Sequence, residues 1–226
     1  MKLSNRLKHI EQLVSADYTH IWDCCCDHGF LGTALLARQA APNIHFVDIV
    51  PALMQTVEDK LQRFYAHSAS SWTTHCMDVA ALPLHDYPGK HLVIIAGVGG
   101  DLITTFIERI HQNNPDRDID FLLCPVHHQF TLRQKLCELD FSLKHEVLVE
   151  DNHRFYEIIY VSSSANDAMK ICSVGEKIWH AATDEQARTV ERYLEKTLNH
   201  YRRVQRSNRK EADMAVAAYQ AITQKY

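Results

Sequence analysis

The residues best placed to do chemistry are acids and glycines at the ends of short apolar runs. Asp23 opens the string Asp23-Cys24-Cys25-Cys26-Asp27-His28-Gly29, Asp48 closes the next apolar run with Ile49 after it, and Asp78 closes a third with Val79 after it. A fourth run ends in Ala96-Gly97-Val98-Gly99-Gly100. In a doubly wound sheet, ligands bind at the carboxyl ends of the strands, beside the switch in strand order. An acid at the tip of strand two is placed to accept hydrogen bonds from ribose hydroxyls, and one at the tip of strand three from an exocyclic amine. Taken singly, an aspartate at a strand end is more often a helix cap or turn residue than a ligand contact. Their joint placement on consecutive strand ends is what suggests a nucleoside pocket with an anionic rim. Such a rim suits a cationic nucleoside, and S-adenosylmethionine, with its sulfonium and ammonium, is that ligand. G-x-G-x-x-G is absent after the first strand, which disfavours NAD.

Cys24, Cys25, Cys26, His28, His75, Cys76, Cys124, His127 and His128 also raise a metal site. Three adjacent cysteines in a strand alternate between faces, and the chain has no C-x-x-C pair, so the expectation is buried thiols and no metal. The 15 histidines are mostly scattered singly, as surface or satisfied core residues would be.

The elements that must position these residues follow from periodicity. Strand-length apolar runs alternate with longer amphipathic stretches, the pattern of parallel βαβ units. Strands are expected at 20–24, 43–48, 73–77, 91–97 and 121–124, with helices at 4–14, 31–38, 51–67, 101–112 and 131–139. The pair 142–149 and 155–162 leaves no room for a helix, so the last strand is expected to be inverted. The run HLVIIAG is apolar after its first residue, as in a strand covered on both faces. Past Ser162, SSSANDAMK reads as a linker. Ala187, Val190, Leu194, Thr197, Tyr201 and Val204 form a 3–4 seam, and Ala212, Ala215, Tyr219 and Ile222 face it from a second helix, with SNR at 207–209 as the turn. The fold class is therefore α/β, a doubly wound Rossmann-like sheet with an antiparallel last strand plus a C-terminal α-helical hairpin, divided at residues 1–162 and 163–226.

With 226 residues, 46 % of them hydrophobic and 23 % charged, the chain can bury a proper core, which excludes disordered and collagen-like classes. It shows no apolar segment of membrane-spanning length and no export signal, and its seven cysteines read as reduced thiols, so a cytoplasmic protein is expected. The net charge of −4 hides a split: residues 170–226 carry 11 Lys and Arg against 7 Asp and Glu, whereas residues 1–169 carry 13 against 21. Arg188, Arg192, Lys196, Arg202, Arg203 and Arg206 lie in the basic part. They read either as a solvated face with intrahelical pairs or as contacts to the phosphates of RNA. No protein partner is evident.

DCCCDHGFLG resembles the D-I-G-S-D-H-x-Y-L-P signature of the TrmK family, bacterial tRNA adenine-22 N1-methyltransferases. VIIAGVGGDLI is similar to that family's I-V-I-A-G-M-G-G-x-L-I, CPVHHQFTLRQKL to its Q-P-x-x-x-x-x-x-L-R-x-W-L, and EDNHRFYEIIYV to its E-D-N-x-x-Y-E-I. The likeness runs from about Arg6 to Val161. It implies a class I, S-adenosylmethionine-dependent methyltransferase acting on N1 of an adenine in tRNA, with the hairpin orienting the tRNA. Asp23, Cys25, Asp27 and His28 would then lie along the methionine and sulfonium end, Asp48 and Ile49 at the ribose, and Asp78 and Val79 at the adenine. Ala96, Gly97, Val98, Gly99 and Gly100 would face the reacting atoms, with Gly97, Val98 and Asp27 as catalytic residues. Cys25 stands where the family has glycine, Gly32 where it has proline, and Arg154 adds a positive charge to the last loop. These departures leave open a different RNA position, a small-molecule substrate, or a catalytically silent RNA-binding relative.

Overall fold

The computed structural model describes residues 3–166, 169–206 and 210–225. Seven strands form one sheet, β1(His20–Cys24), β2(Asn43–Asp48), β3(Ser71–Cys76), β4(His91–Ala96), β5(Ile119–Cys124), β6(Ser142–Asp151) and β7(Arg154–Ser162), in the order β3-β2-β1-β4-β5-β7-β6. The first five are parallel, and β7 runs antiparallel to both β5 and β6, as the helix-free spacing of 142–162 requires. Asn152 and His153 close the β6–β7 hairpin with φ of 50° and 60°, the primed geometry that matches strand twist.

Helices cover both faces. One core packs α1(Asn5–Leu13), α2(Phe30–Ala37) and α3(Pro51–Tyr65) against Ile21, Ile44, Phe46 and Ile94; the other packs α4(Gly100–Asn113) and α5(Gln129–Glu138) against Trp22, Val93, Ile95 and Phe121. Local chemistry sets the helix starts. Ser4 Oγ accepts from Leu7 N–H at 3.3 Å, and Pro51 occupies the first turn of α3, where a missing N–H is harmless.

The segment after Ser162 corrects the expected linker. Ser163 exchanges hydrogen bonds with Ile119, Lys170 bridges Ser142, and Ile171 is buried in the second core, so the chain follows the sheet. Asp167 and Ala168 lie outside the described residues. α6(Asp184–Gln205) and α7(Lys210–Lys225) pair antiparallel, with Tyr201 stacked on Tyr219 at 5.8 Å and Gln205 donating to Asp213. Ala212, Ala215, Tyr219 and Ile222 are buried as their spacing predicts. The seam on α6 is wider than expected: Ala187 is exposed, whereas Tyr193 and Leu198 are buried. The reason is that α6 packs on α7 and on the sheet together, sharing a third core with Phe130 and Trp179. The turn expected at 207–209 lies outside the described residues.

Candidate active site

The sheet brings the ends of β1, β2 and β3 together and ties them through backbone bonds. Asp48 Oδ2 accepts from Asp27 N–H and its Oδ1 from Val50 N–H, both at 3.1 Å, while Asp48 carbonyl accepts from Met77 N–H at 3.1 Å. Asp48 thus organises the loops after three strands, the first two through its buried carboxylate and the third through its backbone carbonyl, and the carboxylate keeps further lone pairs for a ligand. Asp78 caps the short turn at 79–81 by accepting from Ala80 N–H at 2.9 Å and stays exposed at the rim. Ile49 is 66 % exposed beside it, an apolar surface of the kind a flat aromatic ring covers. Val79 points inward and is buried with Leu82 and Leu84. Asp27 and His28 stand exposed on the first loop, 3.6 Å apart.

Asp23 is placed behind this rim. It is 4 % exposed, and its Oδ2 accepts from Gly32 N–H at 2.7 Å. A proline at 32 would have no such donor, so the glycine here gives Asp23 a partner that the family's pattern lacks. Burial, with the Asp48 charge adding to it, pushes the Asp23 carboxyl up to about 7 against the pull of Gly32 N–H. Cys25 adopts φ of 56°, the left-handed conformation that glycine takes without strain. Burial foremost, then the charges of Asp48, Asp23 and Asp78, pushes its thiol up to about 12.

The loop after β4 forms the other side. Gly97 has φ of 92° and open space where a Cβ would stand; a Cβ on Gly100 would come within 2.3 Å of His128 carbonyl oxygen. That close approach is fixed by Gly100 N–H to His127 O at 2.8 Å and Val126 N–H to Val98 O at 3.0 Å. Ala96, Val98 and Gly99 are half-buried along the same edge.

Beyond this loop lies a cavity of about 380 Å³ between the β5–α5 turn, the start of β7 and α6. Its wall includes His127, His128, Arg154, Tyr156, Lys196 and His200. Because β7 is antiparallel, its first residues lie at the carboxyl edge of the parallel strands, which joins Arg154 to the site. Of the basic residues expected on α6, Lys196 reaches this cavity, Arg192 forms a two-pronged pair with Glu150 at 2.7 and 3.1 Å, and Arg188, Arg202, Arg203 and Arg206 are exposed. The pairing of Arg192 is thus to β6 and not along its own helix. His127 and His128, which the sequence raises only as metal ligands, and His200, which it does not single out, meet in this wall because the β7 loop and α6 face the β5–α5 turn.

Beneath the cavity, Arg133 on α5 is fully buried between Glu157 at 2.5 Å and Glu146 at 2.7 Å. Tyr193 of α6 donates to Glu157 as well. Two residues of the motifs, Arg133 and Glu157, are therefore joined in one structural pair.

Among the described residues no helix is long and apolar enough to cross a membrane. No curated protein matches the chain. Among solved structures, the chain is similar to a candidate tRNA (m1A22) methyltransferase of Streptococcus pneumoniae at 21 % identity and TM-score 0.75, with 99 % of each chain covered. It is similar to M. capricolum TrmK in complex with S-adenosyl-homocysteine at 16 % identity and TM-score 0.77, covering 100 % of this chain and 98 % of that one. The B. subtilis m1A22 tRNA methyltransferase TrmK aligns at 17 % identity and TM-score 0.71, over 97 % and 95 % of the two chains. These likenesses establish the fold over the whole chain, hairpin included. The family model described as a methyltransferase domain matches residues 3–159, most of the chain and all of its acid-rimmed edge, and the chain belongs to that methyltransferase family.

Proposed function

We propose that this methyltransferase uses S-adenosylmethionine to methylate N1 of an adenine in tRNA, of the adenine-22 type. The observation that carries the reading is a division of charge across the Gly97–Gly100 loop. On one side lie Asp27, Asp48 and Asp78, suited to a cationic nucleoside; on the other lies a cavity walled by His127, Arg154 and Lys196, suited to a polyanion. The whole-chain likeness to two TrmK structures supports the substrate class.

The cofactor supplies a methyl group on a sulfonium, an electrophile that needs no protein acid. Asp48, with lone pairs left over from its loop bonds, is suited to ribose hydroxyls, and Asp78 to the adenine amine. Ile49 offers an apolar face to the ring, and Asp27 and His28 stand toward the methionine end. Asp23 acts as a positioning residue through Gly32. Adenine N1 carries an in-plane lone pair, so alignment and exclusion of water supply most of the barrier reduction. Gly97 and Val98 present backbone with little side chain in the way, and Asp27 favours the positive charge of the product base until its N6 releases a proton. Paired adenine hides N1, so the base enters unpaired or flipped, and the cavity beside the loop is where it would be received. In this reading residues 1–162 perform the transfer and residues 163–226 hold the tRNA.

A silent RNA-binding relative loses its main support, because Cys25 keeps the left-handed turn that the loop needs. Calorimetry with S-adenosylmethionine separates the two readings: absence of binding at high micromolar cofactor would defeat the enzyme reading. Nucleoside mass spectrometry of tRNA incubated with protein and cofactor then tests the product, with 1-methyladenosine expected, and mass spectrometry of nuclease fragments of the same tRNA tests position 22. Asp48→Ala is expected to weaken cofactor binding by roughly 1–3 kcal/mol, the cost of leaving donors unpaired.

A further inference from the structure

The loops after β4 and β5 also bring a carboxylate together with the two imidazoles that line the cavity. Asp101 in the first turn of α4 and His127 and His128 just before α5 each offer one ligand atom, and the three atoms lie within 4.8 Å of one another. His128 Nδ1 is 3.1 Å from Asp101 Oδ1, and the two imidazoles meet edge-on with centroids 4.3 Å apart. A Cβ on Gly99 would come within 2.3 Å of His127 Cε1 and 2.5 Å of Asp101 Oδ1, so both side chains close over that glycine.

The fold holds this arrangement in place. Consecutive residues in a strand point to opposite faces, but His128 has φ of 59°, and the turn this makes brings the neighbouring imidazoles together. The backbone bonds from Gly100 to His127 and from Val126 to Val98 lock the two loops to each other.

We propose that Asp101, His127 and His128 form a binding site for a divalent transition-metal ion of the zinc, cobalt or nickel class. Two imidazoles and one carboxylate are borderline donors that suit these ions, whereas magnesium and calcium require oxygen-rich sets. Three protein ligands leave a fourth position for water, the composition of open zinc sites. The site departs from the metal-free expectation drawn from the cysteines, because its carboxylate is 26 residues from its nearer histidine in sequence and meets it through the parallel pairing of β4 with β5. It stands independently of the identity of the methyl acceptor.

The test is calorimetric titration of the untagged full chain with Co²⁺ and with Zn²⁺ at neutral pH, alongside the visible spectrum of the Co²⁺ form. One equivalent is expected to bind, and Asp101→Asn, His127→Ala and His128→Ala are each expected to weaken it by about tenfold or more. His85→Ala, which removes an exposed histidine paired with Asp86, is expected to leave binding unchanged. Thermal melts confirm that each variant is folded, and protection of His127 and His128 from diethyl pyrocarbonate by Co²⁺ in the unmodified protein reads the same site without any substitution. Absence of binding at about 100 µM metal, affinity unchanged in all three variants, or binding lost on Cys76→Ser would each overturn the proposal.

Discussion

Cys25 tests how a single residue can depart from a pattern while preserving its geometry. Its φ of 56° lies in a region that costs a side-chain-bearing residue roughly 1 kcal/mol and glycine little. Comparing Cys25→Gly with Cys25→Ala removes the sulfur from both, so the difference isolates the backbone. The glycine variant is expected to be the more stable by about 1 kcal/mol in urea unfolding, and equal stabilities would show that the loop relaxes out of the left-handed region. At this scale the sequence was informative wherever a residue's role follows from its position on a strand end, as for Asp48 and Asp78. It was silent where the role comes from a partner far along the chain. Asp23 occupies the expected place, yet its bond to Gly32 turns it inward, and Arg133 and Glu157 reveal their pairing only once α5 lies over β7.

Among the elements, the strands of the doubly wound sheet and the inverted β7 were legible from apolar runs and helix-free spacing, because burial on both faces leaves continuous apolar strings. Register was not legible, and register creates the most unusual feature of the sheet. His20 Nδ1 meets His45 Nε2 at 3.0 Å, His45 Nδ1 meets His75 Nε2 at 3.0 Å, and Trp22 indole N–H donates to His91 Nδ1 at 3.1 Å. Histidines that looked scattered in the sequence form a ladder across β3, β2, β1 and β4. Its bonds are satisfied by neutral rings in a single tautomer chain: His20 Nε2–H donates to Pro88 O, which leaves Nδ1 to accept from His45, whose own Nδ1 accepts from His75. Burial, reinforced by the neighbouring histidines, lowers His45 to about 3; burial also lowers His91 to about 4, and lowers His20 and His75. The unfolded chain therefore binds protons below about pH 6.5 that the folded chain refuses, so stability is full above that pH and falls between about 6.5 and 4. His45 and His91 alone are expected to remove roughly 2 kcal/mol each between pH 7 and pH 5, at 1.36 kcal/mol per pH unit. Urea unfolding at the two pH values checks this. A flat profile would mean that the ladder opens to water or accepts protons in place.

The whole molecule is an acidic sheet domain joined to a basic hairpin, and the join is polar as well as apolar. Arg133 of α5, Glu146 of β6, Glu157 of β7 and Tyr193 of α6 meet in the interior, so one buried guanidinium links the sheet to the hairpin. Arg133→Ala would strand two buried carboxylates and is expected to cost about 3–5 kcal/mol in chemical denaturation. A loss below about 1 kcal/mol would mean that water enters to replace the guanidinium. With the hairpin held this way, its exposed cations have a fixed relation to the cavity, and they divide by what they already touch. Arg192 is engaged by Glu150, whereas Arg202 and Arg203 lie exposed in the last turn of α6. Reversing the exposed pair, Arg202→Glu with Arg203→Glu, is expected to weaken tRNA binding and to reduce the slope of log affinity against log salt by about 2, one unit for each phosphate the two arginines neutralise. Affinity for S-adenosylmethionine should not change, because the acid-rimmed edge and that turn of α6 have no residue in common. Equal weakening of both ligands would refute the separation of transfer from tRNA holding. Arg192→Ala is expected to fall between the reversed pair and the unmodified protein, since its charge is already half satisfied by a carboxylate of the sheet.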